Sequence, residues 1–423
     1  MENNKITRTR TNKKLHTIEL FAGCGGLLEG FLQQGCYDTL ACVEWEKAPC
    51  LTLTNRLKQK WHHSNADNEV IRFDIQRTDE LINGFDDVEY GKHEGLAKLI
   101  GNQTVDVIVG GPPCQAYSLA GRAASKNGMK GDYRNYLFES YMRIVKHFKP
   151  KFFVFENVIG LLSAAPDGYP IVDRIRKEFI DAGYKVVENF RDALFDVSDW
   201  GVPQHRKRVI IIGIRMDCFD NGDKCVTDDM LHDFYSVIMP SLRQKQRTVS
   251  DAIGDLPKIY PLSNPIVQNG RKYSHAPISS NKYMNHVPRF HNIRDISVVR
   301  LLTEDIQSGR ENYVSGEELK KLYHKVTGNK NTNFTRYHVL RNDEPSNTIV
   351  AHLGKYGLMH IHPDPEQSRT ITVREAARLQ TFPDDFEFLG GQMAQYKMIG
   401  NAVPVDFAKI IAEALYKLID KYC

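Results

Sequence analysis

Short apolar runs alternate with longer helix-like stretches over residues 17–213, and this alternation restricts the fold more than any other feature of the sequence. Apolar residues recur at 3.6-residue spacing in the helix-like stretches, of which Leu27–Gln34 and Leu137–His147 are the clearest. A repeated strand–helix order predicts an α/β fold with a parallel sheet and right-handed crossovers. The strand-like runs are Thr17–Phe21, Thr39–Val43, Val105–Val109, Phe152–Phe155, Lys185–Asn189 and Val209–Ile214.

The alternation stops after Met216, which indicates a second kind of structure in the chain. A length of 423 residues favours two domains over one. Residues 216–340 are rich in Asn, Ser, Lys, Arg and Tyr with scattered Pro and Gly, so we predict a smaller, irregular domain there. Regular patterns return near Pro345 and end in a predicted helix, Val405–Tyr422. The predicted division is a basic flexible tail over 1–16, a sheet domain over 17–215, the irregular domain over 216–340, and a return to the sheet domain over 341–423.

The composition is that of an ordinary globular protein. Apolar residues make up 41% and charged residues 26%, and the net charge of +4 permits nucleic-acid binding without requiring it. The sequence has no run of 18 apolar residues and no apolar stretch near its start, so we expect neither a membrane span nor a secretory signal. Its eight cysteines include no C-x-x-C pair, and no histidine cluster has zinc spacing. We therefore expect a reduced, cytoplasmic protein without a bound metal.

One of these cysteines occupies an unusual place. Residues 110–118 read Gly-Gly-Pro-Pro-Cys-Gln-Ala-Tyr-Ser and follow the apolar run Val105–Val109. Open α/β sheets bind their ligands at the carboxyl ends of such strands, and two prolines restrict the backbone before Cys114. The turn therefore indicates either a presented, reactive thiol or a tight turn with a buried cysteine.

A glycine-rich turn joins the first predicted strand to the first predicted helix. Glycines at 23, 25, 26 and 30 would let a ligand approach the backbone and the helix N-terminus. Their spacing does not match G-x-G-x-x-G, which argues against a standard nicotinamide site. Glu44 and Trp45 follow the run Thr39–Val43, where they suit a ribose and a purine ring, and Asp74 ends a third possible short strand, after Ile71 and Phe73, where it suits an exocyclic amine. Each also has a plain structural interpretation: a surface charge, a core residue and a helix cap.

Six motifs follow one another along the chain: Phe21-Ala-Gly-Cys-Gly-Gly26, Gly111-Pro-Pro-Cys-Gln115, Glu156-Asn-Val158, Gln204-His-Arg-Lys-Arg208, Arg374-Glu-Ala-Ala-Arg-Leu-Gln-Thr-Phe-Pro383 and Gly400-Asn-Ala-Val-Pro404. Together and in this order, they resemble the motifs of the DNA (cytosine-5)-methyltransferases. The resemblance covers residues 17–213 and 345–407, about two thirds of the chain, and Glu19 departs from it because the family more often has Asp there. It implies a Rossmann-like S-adenosylmethionine-dependent sheet with helices on both faces and a variable target-recognition domain over 216–340.

The resemblance also implies roles for single residues. Cys114 would add to C6 of cytosine, because C5 is too weak a nucleophile to attack a methyl donor unaided. Glu156 would act at N3, Arg208 would contact O2 and steady Glu156, and Arg206 would lie beside them near the phosphate or the base. The Pro112 carbonyl would accept from the cytosine amino group. Gln115, Ser118 and Arg134 would contact DNA, with residues 116–133 as a covering loop over the flipped base.

The same matching implies a cofactor pocket for S-adenosylmethionine. Phe21 would lie near the methionine and adenosine, Glu44 would hold the ribose, and Leu137 and Asn401 would close the site. Asp74 would bind the adenine amino group. The remaining predicted contacts are Gly23, Gly25, Gly26, Trp45 and Ile75.

The predicted partners are double-stranded DNA and, functionally, a restriction endonuclease of a bacterial restriction–modification system, with the enzyme itself a monomer. An orphan methylase would have the same sequence features. The sequence also has to be weighed against a cysteine hydrolase or nicotinamide oxidoreductase, a tRNA methyltransferase with the same catalytic fold, and a non-catalytic DNA-binding relative. The recognition sequence stays open, since any Arg, Lys, Asn or Gln between 216 and 340 could read bases.

Overall fold

The computed structural model describes residues 14–113, 136–166, 168–220, 226–276, 283–314, 316–328, 337–355 and 357–423. The strands are β1 Leu15–Leu20, β2 Tyr37–Glu44, β3 Val70–Arg72, β4 Phe85–Asp87, β5 Gly91–His93, β6 Val107–Gly110, β7 Phe152–Val158, β8 Tyr184–Lys185, β9 Leu194–Asp196, β10 Lys207–Arg215, β11 Pro261–Gln268 and β12 Arg271–His275. The α-helices are α1 Gly26–Gln34, α2 Lys47–Trp61, α3 Ala66–Glu69, α4 Thr78–Asn83, α5 Leu96–Ile100, α6 Leu137–Phe148, α7 Ile171–Asp181, α8 Met216–Phe219, α9 Val226–His232, α10 Met239–Ser241, α11 Val249–Ile253, α12 Ile293–Gln307, α13 Glu317–Thr327, α14 Val373–Leu379, α15 Gln392–Asn401 and α16 Val405–Tyr422.

The central sheet has the strand order β3-β2-β1-β6-β7-β10-β8, with β9 paired to β10. Strands β3, β2, β1, β6 and β7 run parallel, as the strand–helix alternation predicts. The prediction of a wholly parallel sheet is wrong for β10, which runs antiparallel to β7, β8 and β9. A buried apolar run such as Val209–Ile214 predicts a strand but carries no information about its direction.

Two layers of helices cover the two faces of the sheet, which is the predicted α/β class. Helices α6 and α7 bury Tyr141, Ile144 and Phe179 on one face, where they meet Phe153 and Phe155 of β7. Helices α1 and α16 cover the other face against Val154 of β7 and the neighbouring strands. With apolar contacts on both sides, β6 and β7 require the nearly continuous hydrophobic sequences that they have.

The C-terminal helix α16 packs closely against α1. A Cβ atom at Gly30 would lie 2.5 Å from both the Ala408 Cβ and the Lys409 nitrogen, so this crossing requires glycine. The Tyr37 hydroxyl also donates to the Ala412 carbonyl over 2.9 Å. The last helix is thereby part of the layer that covers the first strands.

The region between the sheet and the C-terminal segment is more regular than predicted. Helix α12 spans 15 residues and starts at Asn292, whose side chain accepts from the Asp295 backbone N–H. Strands β11 and β12 form a hairpin around Asn269 and Gly270. The high content of Asn, Ser and Lys concealed these elements because such residues cap helices and turn hairpins as readily as they form loops. The predicted strand Lys185–Asn189 was also wrong beyond the first residue, since β8 ends at Lys185.

Among the described residues, no helix is long and apolar enough to cross a membrane.

Candidate active site

The predicted catalytic residues lie where three neighbouring strands reach one edge of the sheet. Strand β6 ends at Gly110 and leads into Gly111 and Pro112, and β7 carries Glu156 close to its own carboxyl end. Because β10 runs antiparallel to β7, its first residues lie at the same edge, and Arg208 pairs in register with Val158. The reversed direction of β10 is thus what brings Arg208 to the carboxyl ends of the parallel strands.

Glu156 and Arg208 form an ion pair at this edge. The Arg208 Nε lies 2.7 Å from the Glu156 Oε1, and the side chains are only 11% and 13% exposed for Arg208 and Glu156. The Arg208 Nη1 donates to the Lys207 carbonyl over 2.8 Å, which helps to fix the guanidinium. A nearly buried charge pair of this kind holds its geometry more firmly than a surface pair and is costly to break on one side.

Gly111 and Asn157 shape the surroundings of this pair, and neither was assigned a role from the sequence. A Cβ atom at Gly111 would lie 2.5 Å from the Glu156 Oε2, so only glycine leaves room for the carboxylate as it stands. The buried Asn157 side chain donates from Nδ2 to the Pro112 carbonyl over 3.3 Å. Asn157, which follows Glu156 in the chain, therefore holds the turn that precedes Cys114.

Four predicted site residues lie outside the described residues, as does the whole predicted covering loop over 116–133. These four are Cys114, Gln115, Ser118 and Arg134. Pro112 is described, and its carbonyl oxygen keeps a second lone pair beyond the one that receives the Asn157 amide.

Arg206 is placed differently from the prediction. Its side chain is 1% exposed and donates to the carbonyls of Ile349, Gly400 and Ala402 at 2.8, 3.0 and 2.9 Å. A guanidinium enclosed in this way contacts neither solvent nor a phosphate. Arg206 therefore fastens the C-terminal segment to the start of β10, and the prediction that it lies near the phosphate or the base is wrong in this structure.

The buried Gln204 completes this fastening. Its Nε2 donates to the Leu379 carbonyl and the Gln380 side chain, while its Oε1 accepts from the Ile349 N–H. Together with Arg206 it connects the loop before β10 to residues more than 140 positions later in the chain. These long-range bonds hold Asn401 between two anchored carbonyls.

The glycine-rich turn after β1 has the strained backbone that a close ligand approach requires. Phe21, Gly23 and Gly25 all have positive φ, at 57°, 56° and 87°. Positive φ is uncommon for a residue with a large side chain such as Phe, so the surrounding contacts must enforce it. A Cβ atom at Gly23 would meet no atom within 4 Å, which leaves open space on that side of the turn.

Glu44, at the end of β2, organises the turn. Its Oε2 accepts from the Gly23 N–H over 2.9 Å, and its Oε1 accepts from the backbone of Trp45 and Glu46 over 2.9 and 2.8 Å. Burial raises the pKa of Glu44, and these three N–H donors partly offset that effect by favouring the carboxylate. Under the turn, burial raises the pKa of Glu19 well above its usual value, and the Glu44 charge adds to the increase.

The other predicted cofactor residues surround the ends of the same strands. Trp45 is half exposed beside the end of β2. The Phe73 N–H donates to the Glu44 carbonyl, and Ile75, two residues after Phe73, is buried. The Asp74 Oδ1 accepts from the Gln76 N–H over 3.0 Å, so this carboxylate caps its own turn while it remains partly exposed.

Two predicted residues lie on helices that face this region. Leu137 is buried in the first turn of α6, and Asn401 is exposed at the end of α15. The backbone after Asn401 is close to the glycine-rich turn, because a Cβ at Gly26 would lie 2.7 Å from the Val403 carbonyl. The described part of the chain contains no group of three His, Cys, Asp or Glu side chains that could hold a metal ion.

Comparison with known proteins confirms the family resemblance. The family model of the C-5 cytosine-specific DNA methylases matches residues 15–417. The chain is 34% identical to the type II methyltransferase M.Bpa9945I of Bacillus paralicheniformis, over 95% of this chain and 99% of that protein. It is 31% identical to the type II methyltransferase M1.HphI of Haemophilus parahaemolyticus, over 95% of this chain and 86% of that protein.

Solved structures of methyltransferases share the fold. An Escherichia coli protein described as a prophage-encoded DNA modification methyltransferase superposes with a TM-score of 0.58 at 23% identity, over 96% of this chain and all of that one. The Dnmt2 methyltransferase of S. pombe superposes with a TM-score of 0.52 at 14% identity, over 96% of this chain and 99% of that one. Motif order, strand-edge geometry and a family match over nearly the whole length agree, and the chain belongs to the C-5 cytosine-specific DNA methylases.

Proposed function

We propose that this enzyme methylates C5 of a flipped-out cytosine within a specific duplex DNA sequence, through a covalent bond between Cys114 and C6. We further propose that it works in a bacterial restriction–modification system, where methylation protects the DNA from a cognate endonuclease. The type II names of the relatives support the second statement. A monomer with one catalytic sheet and one recognition region over 216–340 suits a protective methylase.

The observation that carries the proposal is the ion pair between Glu156 and Arg208. It sits beside the Gly111–Pro112 turn, two residues before Cys114 in the chain. A carboxyl group there can act at N3 of cytosine while the adjacent guanidinium contacts O2. Electron density that moves onto the ring after nucleophilic attack thus meets the carboxyl group at N3 and the cation at O2.

The proposed chemistry runs in four balanced steps. The Cys114 thiolate forms a bond to C6, and N3 takes a proton from Glu156 as C5 becomes nucleophilic. C5 then takes the methyl group as the methyl–sulfur bond of the donor breaks and S-adenosylhomocysteine forms. A base such as water removes the C5 proton, and the thiolate leaves as the C5–C6 double bond returns and N3 gives its proton back to Glu156. Burial raises the thiol pKa of Cys24, Cys42 and Cys50, so these cysteines are poor nucleophiles at neutral pH and poor substitutes for Cys114.

Recognition of the flipped base would use the same turn. The free lone pair of the Pro112 carbonyl can accept from the cytosine amino group, which thymine lacks. Base flipping is required because C5 is enclosed in stacked duplex DNA. Gln115, Ser118 and Arg134 are proposed contacts to the DNA backbone or to the vacated position in the helix.

The residues at the ends of β1, β2 and β3 fit S-adenosylmethionine. The open side of Gly23 provides space for a ligand against the backbone, and the Glu44 carboxylate next to it suits a ribose diol. The half-exposed Trp45 offers a ring face to adenine, and Asp74 keeps a partly exposed carboxylate for its amino group. When bound, the cofactor supplies an electrophilic methyl group, and Phe21, Gly25, Gly26, Ile75, Leu137 and Asn401 would enclose it.

The test is bisulfite sequencing of DNA from a methylase-free bacterial host that expresses the chain. The proposal predicts methylated cytosines at one short sequence, none in cells with Cys114→Ala, and DNA resistant to a nuclease that cleaves that sequence. Methylated RNA with unmodified DNA would contradict the proposal in favour of a tRNA methyltransferase. Cytosine methylation by Cys114→Ala would contradict the covalent route.

A further inference from the structure

The hairpin of β11 and β12 lies at the surface of the recognition region, where Arg271 and Lys272 contact the segment around Pro288 and Phe290. Every residue from 263 to 272 is exposed, including the apolar Ile266 and Val267, at 41% and 71%. Two-stranded hairpins are marginally stable by themselves, and exposed apolar residues in such an element often mark a surface that contacts a partner.

The end of this hairpin is a tight two-residue turn. Asn269 and Gly270 both have positive φ, at 51° and 73°, which is the backbone of a two-residue type I′ turn. In register, Gln268 lies opposite Arg271 and Val267 opposite Lys272. Two amide side chains and two cations therefore occupy adjoining positions on a defined turn.

The base of the hairpin is firmly attached. The buried His275 hydrogen bonds through Nε2 to the Gln367 carbonyl over 2.9 Å, and the Gln367 side chain accepts from the Ile259 N–H over 3.0 Å. The Ser274 hydroxyl accepts from the His291 N–H over 2.9 Å. An anchored base and an exposed end with a defined turn suit an element that inserts into a partner.

A chain of contacts links this base to the active site. Arg289, two residues before His291, donates to the Leu353 carbonyl. Thr348 lies five residues before Leu353, and its hydroxyl donates to the His205 carbonyl. His205 is three residues before Arg208. The hairpin is thus mounted on the segment that borders the catalytic edge.

The charged residues in and around the hairpin indicate what kind of partner it contacts. Residues 256–294 contain no Asp or Glu, although the whole chain has 52, and they contain six Lys or Arg. Lys258, near the base, is neutralised by Asp364 and Glu366. Toward the end, the Arg271 guanidinium lies over the Tyr273 ring and the Lys272 ammonium over the Phe290 ring, and neither pairs with a carboxylate of the described residues. A stretch of this length without acidic residues, whose exposed end carries Arg271 and Lys272, complements a polyanion.

We propose that the β11–β12 hairpin enters a groove of the DNA duplex and reads base edges with Gln268 and Asn269, while Arg271 and Lys272 contact the adjacent backbone. This inference rests on the proposed function. A two-stranded ribbon fits the major groove, and Gln and Asn amides pair with adenine edges there. Exposed Ile266 and Val267 suit apolar contact with thymine methyl groups. The hairpin would then determine which cytosine is presented to the catalytic edge.

The test uses three variants of the full chain: Gln268→Ala, Asn269→Gly and the double variant Arg271→Ala/Lys272→Ala. Glycine at 269 keeps the positive φ while it removes the amide. The matched control is Lys409→Ala/Lys417→Ala, which removes two exposed cations from α16. Genomic sequencing in the methylase-free host reports the methylated sequence, and duplex binding at several salt concentrations reports the backbone contacts. Unchanged thermal unfolding and S-adenosylmethionine binding verify the fold.

The expected result is a relaxed or altered target sequence at one or more positions for Gln268→Ala and Asn269→Gly. The Arg271→Ala/Lys272→Ala variant should bind DNA about tenfold or more weakly and lower the salt slope by about two, with the control unchanged. An unaltered target sequence in both amide variants would overturn base reading, even if DNA affinity fell. A wild-type chain that methylates no cytosine would instead refute the proposed function itself.

Discussion

Gly111 is the position where the smallest change should disturb the catalytic edge most. Its backbone is not in the left-handed region, so alanine has no conformational penalty there. The added Cβ would, however, lie 2.5 Å from the Glu156 Oε2, and ordinary contact starts at 3.4 Å. The Glu156 carboxylate must therefore retreat by about 0.9 Å, or the turn before Cys114 must move by a similar distance.

Either movement damages the geometry on which the mechanism depends. A retreat of the carboxylate stretches the 2.7 Å contact to Arg208, and movement of the turn shifts the thiol relative to C6. Misplacement of reacting groups by about 1 Å can cost about 100-fold in rate. We therefore expect Gly111→Ala to lower kcat by about 10- to 100-fold, with thermal stability close to wild type.

Single-turnover methyl transfer to a duplex that carries the target sequence measures this effect without product release. The matched control is Gly391→Ala, because a Cβ at Gly391 meets no atom within 4 Å and its φ of −71° suits alanine. A Gly111→Ala enzyme with the wild-type single-turnover rate would show that the space at Gly111 does not control catalysis. An equal loss of rate in Gly391→Ala would also contradict the prediction, since it would point to a general sensitivity to alanine.

The remaining predictions concern charge. Arg208→Ala should slow methyl transfer about 100-fold while calorimetry shows S-adenosylmethionine affinity within about twofold of wild type; equal losses in both would indicate a purely structural role. Glu19→Gln should stabilise the protein by roughly 1–3 kcal/mol at pH 7, because the raised pKa of Glu19 favours its protonated form when folded, whereas the unfolded carboxyl loses its proton above pH 4–5. Denaturant melts should show this gain shrinking toward pH 4, and a gain that does not change with pH would contradict the assignment. Acid should destabilise the fold, because burial lowers the pKa of His275 and His360 to about 4 and of His291 and His362 to about 3. Above pH 6.5 these histidines are neutral in both the folded and the unfolded chain. As the pH falls below 6.5 the unfolded histidines take up protons that the folded ones do not, which lowers the free energy of unfolding by about 2 kcal/mol per histidine at pH 5. Urea midpoints that are equal at pH 7.5 and pH 5 would disprove this.

Much of the sheet could be predicted from the sequence because its signals are local. The apolar runs near β1, β2, β6, β7 and β10 and the glycine-rich turn all lie where the patterns place them. Direction is not local: Val209–Ile214 reads the same in a parallel or an antiparallel strand, and only pairing with β7 settles it. The approach of Arg208 to Glu156 was therefore accessible through motif order but not through strand patterns.

Arg206 and the hairpin show two different reasons for error. Arg206 was misplaced because its partners Ile349, Gly400 and Ala402 are 143 to 196 residues away in sequence, and no local pattern reveals such contacts. The hairpin was missed although Asn269-Gly270 is a strong turn signal, because its strands have the mixed composition of a loop. Asn157 and Gly111 were quoted within motifs, but their roles depend on distances across two strands.

The whole mechanism depends on a covalent bond from Cys114 to the target base, and a duplex with 5-fluorocytosine at the methylated position probes that bond itself. Fluorine at C5 cannot leave as a proton does, so the thiolate cannot be eliminated after methyl transfer. The covalent mechanism predicts a denaturation-stable enzyme–DNA adduct that forms with S-adenosylmethionine, maps by mass spectrometry to the peptide containing Cys114, and is absent in Cys114→Ala. An enzyme that methylates the unmodified duplex yet forms no adduct with the fluorinated one would contradict it.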